Sequence, residues 1–200
     1  MTQGPEAALQ QLTEQLRHQD TVISSHVVEP SSEPVLGPLA AAGPRAAGAE
    51  AEYSLVVESI REGYELHYGT SRILDGQDEN LALLAGDYLY ALGLERLAAL
   101  GDDEAVAELS DLISLSAACH AEGSEPIVPA LWLAAAVAVG CGGSEGHNAA
   151  KAAARSARTG AAEALVKSAH QTAAAGGLKV DLDRVGESID LAVPRPADSG

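Results

Sequence analysis

A chain with no Phe, a single Trp and 39 Ala must fill its interior with small side chains. Alanine is the strongest helix former and is depleted in strands, so closely spaced helices are the expected outcome. With 200 residues and 46% apolar content, the chain has the size of one domain with a sizeable core. Its charge is lopsided, with Lys+Arg 12 against Asp+Glu 29 and a net charge of −17. A surface that acidic repels phosphate backbones and anionic membrane faces, so no nucleic-acid partner is expected. Residues 73–150 carry 13 acidic side chains and only Arg96 as a base, whereas residues 151–170 carry four bases and one acid. These two stretches should attract each other or a partner. Cys119 and Cys141 form no CxxC pair, which speaks against a disulfide framework or zinc site and for a cytoplasmic location. The N-terminus lacks the basic and apolar regions of a secretory signal. The longest apolar run, 127–139, contains Pro129 and is shorter than the ~18–20 residues that cross a bilayer. It reads as a buried helix, and the chain as not transmembrane.

The pattern predicts an all-α bundle of five or six helices. Residues 1–48 read as a flexible N-terminal segment and linker, because a short polar helix over 6–19 precedes Pro30, Pro34, Pro38 and Pro44 among Ala, Gly and Ser. Residues 49–177 read as the helical domain, and 178–200 as an extension with a fraying Pro-rich tail. Within the domain, Tyr53, Val56, Val57, Ile60, Tyr64, His67 and Tyr68 recur at spacings of three and four, the stripe of a packed helix. Gly63 on that stripe either weakens the helix or admits a neighbouring backbone. The next helix, 81–100, is apolar nearly all round and should be buried on most sides, with Asn80 as its cap and Gly101 as its stop. Asp102 or Asp103 should cap the helix that follows. Residues 178–193 fit both alternation and a helical stripe.

Gly142-Gly143-Ser144-Glu145-Gly146 satisfies GxSxG, the pattern of a nucleophile elbow. His147 and His170 follow it, but Asp181, Asp183 and Asp190 come after both, against the serine, acid, histidine order of that fold. A Gly-rich loop between helices is the preferred reading, and a Ser144 hydrolase the lesser alternative. Asp87 is the lone carboxylate of its apolar helix. Burying it unpaired is costly, and Arg72 and His67 are the nearest donors in sequence, for a structural bond or a site. His67 reads either as lining a pocket mouth with Tyr64 or, more simply, as a satisfied, half-buried histidine. The acids Asp75, Asp78 and Glu79 lack EF-hand spacing and read as solvated. Lys151, Arg155 and Arg158, at i, i+4 and i+7, form a diphosphate or partner patch or, more simply, a solvent face.

The run from Leu84 through Gly86-Asp87-Tyr88-Leu89 to Asp102, continued by Glu108-Leu-Ser-Asp-Leu-Ile and Ala121-Glu122-Gly123, resembles the trans-prenyltransferase (polyprenyl diphosphate synthase) family. Val57-Glu58-Ser-Ile-Arg-Glu-Gly-Tyr64-Glu-Leu-His67 is similar to the family helix leading to its first aspartate motif. The segment 130–138 resembles a later inner helix. The resemblance implies a truncated isoprenoid synthase fold. That family grips Mg²⁺ and a diphosphate between two DDxxD motifs, since the cluster needs carboxylates facing one another across a cavity. No DDxxD occurs here: Tyr64-Glu-Leu-His67-Tyr68 stands at the first position, Thr70-Ser-Arg72 follows it, and Val128-Pro129 replaces the inner Lys-Thr pair. The implied role is that of the small non-catalytic subunit of a heteromeric long-chain synthase. Such a subunit helps set chain length, with no catalytic residue, no metal ligand and no cofactor of its own, Mg²⁺ being held by the catalytic partner. Its partners would be the catalytic prenyl diphosphate synthase subunit or a second copy, with an isoprenoid chain as a possible ligand. Candidate partner- or ligand-facing residues are Glu58, Tyr64, His67, Tyr68, Arg72, Asp87 and Tyr88, with Val56, Ile60, Leu84 and Leu92 on the same apolar faces. A stand-alone prenyl- or lipid-binding module, or a structural homodimer in which two half-folds rebuild a bundle, is the alternative.

Overall fold

A computed structural model describes residues 4–191. They form α1 (Ala8–His18), α2 (Leu36–Ala41), α3 (Glu50–Tyr68), α4 (Glu79–Leu100), α5 (Asp103–Glu122), α6 (Val128–Cys141), α7 (Glu145–Arg155), α8 (Ala161–Ala175) and α9 (Leu182–Ser188), linked in places by single 3-10 turns. The fold is all-α, and the only pairing of extended backbone among the described residues is an isolated antiparallel bridge between Val27 and Leu74. No described helix is long and apolar enough to cross a membrane.

The centre is α6, whose residues Val128 and 130–140 are all buried against α2, α5 and α8. Alanine makes this possible. Where α6 meets α2 the backbones touch: a Cβ on Gly140 would lie 2.3 Å from the Ala40 carbonyl oxygen. The α3–α4 crossing uses the same device. A Cβ on Gly63 would come within 2.9 Å of the Gly86 carbonyl oxygen, so Gly63 admits a neighbouring backbone rather than merely weakening its helix. α3 is the wall between two apolar clusters. Val56, Val57 and Ile60 face the larger one around α6, while Leu55 and Leu66 face a smaller one built with α1 and α4.

The N-terminal region differs from the expectation of a flexible segment and linker. Leu9, Leu12 and Leu16 are buried to within 1% as the floor of the smaller cluster, and Leu36, Leu39 and Ala40 enter the larger one. Three leucines at i, i+3 and i+7 suffice to dock an otherwise polar helix. Pro30, Pro34 and Pro38 lie in the connections and in the first turn of α2, and Pro44 opens a 3-10 turn, so the prolines punctuate the packing without preventing it. At the other end, 182–188 is helical, and the expectation of a fraying tail falls on 192–200, outside the described residues.

Of the two capping candidates, Asp102 caps α5, accepting from the Ala105 N–H at 3.0 Å. It also receives the Tyr53 hydroxyl and, at 2.5 Å, Arg45 Nη2. Burial pushes its carboxyl up, but the Tyr53 and Ala105 bonds and the Arg45 charge together hold it below the usual range. A depressed carboxylate stabilises the fold above its unfolded pKa and loses that contribution as pH falls through the folded value. Asp102→Asn keeps the cap but not the ion pair, so it should cost roughly 1 kcal/mol at pH 7. The difference from wild type should begin to shrink as pH falls through about 4 and go on shrinking at lower pH, in urea titrations followed by circular dichroism. A pH-independent difference would contradict this account.

Candidate functional site

Two clusters on α3 gather most of the residues singled out by the sequence. The first is ionic. Glu58 and Glu62 sit one turn apart with wholly buried side chains, and Arg72, on the turn after α3, reaches both. Arg72 Nη2 donates to Glu58 Oε2 at 2.6 Å and its Nε to Glu62 Oε1 at 2.5 Å. Glu58 Oε1 accepts the N–H groups of Val35 and Gly37 at the start of α2, at 3.1 and 2.7 Å. Glu62 Oε2 accepts the Ser71 hydroxyl at 2.7 Å and the Arg72 N–H at 3.0 Å. Burial pushes the Glu62 carboxyl up despite these donors. Burial alone would lower Arg72, yet the charges of Glu58 and Glu62 hold its pKa above the ordinary arginine value. Every oxygen of the two carboxylates already has a donor, so this pair does not present the open oxygens that Mg²⁺ requires. Arg72 thus serves Glu58 and Glu62 rather than Asp87. Glu62 escaped the sequence reading, although its i+4 spacing from Glu58 was the available signal.

The second cluster is aromatic. Three of the five tyrosines and the single tryptophan converge where α3, α4, α5 and α6 meet. Tyr68 stacks on His120 with centroids 4.0 Å apart, and the Tyr64 hydroxyl lies 3.1 Å from His120 Nε2. His67 stacks on Tyr90 at 5.3 Å, and Tyr64 meets the Trp132 ring edge-on at 5.5 Å. The Arg61 guanidinium is 4.9 Å from the centroids of both Tyr64 and Trp132 and pairs with Glu65 at 2.6 Å. Burial, before the neighbouring tyrosines, raises the Tyr90 hydroxyl well above its usual pKa. These residues make a packed plate with one open edge at Tyr68, which is 41% exposed. His120, Tyr90 and Trp132 were not among the sequence candidates, because only the fold brings α5 and α6 to α3.

Asp87 corrects the expectation of a buried carboxylate. Its side chain is 73% exposed, with Oδ1 3.2 Å from His67 Nε2. α4 is covered on one side only: Leu83, Leu84, Asp87, Ala91 and Glu95 form its solvent face. Its cap is Asp78, not Asn80. Tyr88 stands apart from the aromatic plate, its hydroxyl donating to Gln19 Oε1 at 2.8 Å. Val56 and Ile60 are fully buried and Leu92 nearly so, so of the expected docking faces only Leu84 and part of Tyr88 reach the surface.

The GxSxG serine is a helix cap. Ser144 Oγ accepts the His147 N–H at 3.1 Å and lies 3.2 Å from Thr172 Oγ1, while the buried His147 ring turns away, with Nε2 2.8 Å from Glu108 Oε1. Lys151 reaches Glu108 and Asp111 at 2.6 and 3.0 Å, and Arg155 also pairs with Asp111. The basic stretch therefore meets the acidic one within the chain. Comparison with protein-family models, with curated proteins and with solved structures finds no match.

Proposed function

We propose that this chain is a non-catalytic subunit of a polyprenyl diphosphate synthase, acting by packing against the catalytic subunit and helping to set product length. The observation that carries this reading is the state of the interior carboxylates on the helix that resembles the family's aspartate-bearing one. Glu58 and Glu62 are saturated by Arg72, Ser71 and backbone N–H groups, and Tyr64, His67 and Tyr68 are committed to ring contacts where the first aspartate motif would lie. Ionising an allylic diphosphate needs metal-bridging carboxylates, and these side chains offer none. A second support is the open face of α4, the helix with the family-like Gly86-Asp87-Tyr88-Leu89 run.

The test combines the purified chain with the aspartate-motif synthase of the same genome, Mg²⁺, an allylic diphosphate and isopentenyl diphosphate. The chain alone should make no product, while its addition should change the synthase's yield or product length, with the two proteins comigrating on gel filtration. Elongation by the chain alone, or a synthase indifferent to it, overturns the proposal.

A further inference from the structure

We infer that the connected end of the α3–α4 hairpin, where Tyr68 closes α3 and Leu83 and Leu84 lie in the first turns of α4, is a docking surface for a basic amphipathic helix of a partner protein, an inference that rests on the partner-subunit reading and names the chemistry of the contact. Half of the exposed large apolar side chains among the described residues, Leu84 at 65%, Leu83 at 42% and Tyr68 at 41%, lie at this one end. Asp87, one turn beyond Leu83 and Leu84 on the same exposed face, lies 3.2 Å from His67 Nε2, and the His67 ring is 5.8 Å from that of Tyr68, so an Asp87–His67 pair stands between the leucines and the tyrosine. Tyr68 in turn stacks on His120. Exposed leucines at i and i+1, with a tyrosine edge on the other side of the Asp87–His67 pair, give separate apolar anchor points to a helix laid across the hairpin. Singly exposed leucines are unremarkable, but three large apolar side chains exposed at one end of a hairpin among acidic groups point to an interaction surface.

The rim decides the occupant. Glu79 opens α4 at this end, Asp87 stands between the leucines and Tyr68, and Glu122 and Glu125 follow His120, the ring on which Tyr68 stacks, near enough to Cys119 to add to the rise that burial gives its thiol. Arg61 is the cation beside the plate, and it is already paired with Glu65 between the Tyr64 and Trp132 rings. A second copy of this chain is a poor occupant. A two-fold contact would set the same acids against themselves, each copy bringing a net charge of −17. A helix carrying aliphatic side chains on one stripe and Lys or Arg on its flanks answers both features, with its cations over Tyr68 and beside Asp87.

The test uses a leucine–lysine amphipathic peptide of about five helical turns as the probe, with its leucine–glutamate counterpart as control, titrated into the whole chain by fluorescence anisotropy. The lysine peptide should bind, and its binding should weaken as salt rises from about 0.05 to 0.3 M. Leu83→Ser combined with Leu84→Ser should weaken it about tenfold or more, with an unchanged circular dichroism spectrum. Leu100→Ser, a similarly exposed leucine about 24 Å further along α4, should leave it unaltered. Three results overturn the inference: no binding of the lysine peptide, equal binding of the glutamate peptide, or binding that the Leu83/Leu84 change leaves intact, since that last would be unspecific attraction to an acidic protein. No synthase enters the assay, so its outcome is separable from the failure of the subunit reading.

Discussion

Arg72→Met should destabilise the protein by about 3–5 kcal/mol, because it leaves two buried carboxylates one helical turn apart with no cation. Against a typical total of about 5–15 kcal/mol, this is enough to populate the unfolded state. Methionine preserves most of the aliphatic stem, so the loss is one of charge and hydrogen bonding rather than volume. In the variant the Arg72 charge no longer opposes the burial that pushes the Glu62 carboxyl up, so its folded pKa rises further. A raised carboxylate means that the native state binds protons more tightly than the unfolded chain, so the variant should recover stability as pH falls. Adding Glu58→Gln and Glu62→Gln should restore part of the loss at neutral pH. Urea unfolding followed by circular dichroism checks the series. A second readout is amide exchange at Val35 and Gly37, whose N–H groups Glu58 holds and which should exchange faster. A loss under about 1 kcal/mol would mean that the ionic cluster does not secure α3 to the turn after it.

Trp132→Ala should cost about 3–5 kcal/mol, the usual penalty for emptying a fully buried aromatic site. Trp132 is 1% exposed and touches Tyr64 and Arg61 while sitting in the central helix, so the space cannot collapse without moving α3 against α6. Trp132→Phe is the informative contrast. The indole N–H is buried with no hydrogen-bond partner, so a smaller ring loses contacts but also removes an unsatisfied donor. It should cost about 1–2 kcal/mol, well short of the alanine variant. Thermal unfolding by circular dichroism separates the two. Equal losses would show that the ring is not the packing element it is taken to be.

The helical class was readable because the signals were redundant: alanine content, three- and four-residue spacing over 50–68, Gly101 after α4 and Asp102 before α5 all agree. Two readings went astray for identifiable reasons. Residues 8–18 are polar by composition, and only the partners waiting on α3 and α4 make Leu9, Leu12 and Leu16 a core stripe. α4 is apolar over most of its length, and periodicity gives no direction to a helix without a polar face, so Asp87 was expected inside. Of the site, Glu58, Tyr64, His67, Tyr68 and Arg72 were marked from local context. The group that each one touches was not legible when it came from another element, as with His120 and Trp132, whose contacts cross more than fifty residues of sequence.

The placement of α3 as a shared wall has a mechanical consequence. Peeling α1 and α4 away would strip one side of α3 to water, and peeling α6 with its neighbours would strip the other, so neither half keeps an intact boundary once its counterpart departs. Heat should therefore melt residues 8–175 as one cooperative block, with calorimetric and van't Hoff enthalpies in agreement.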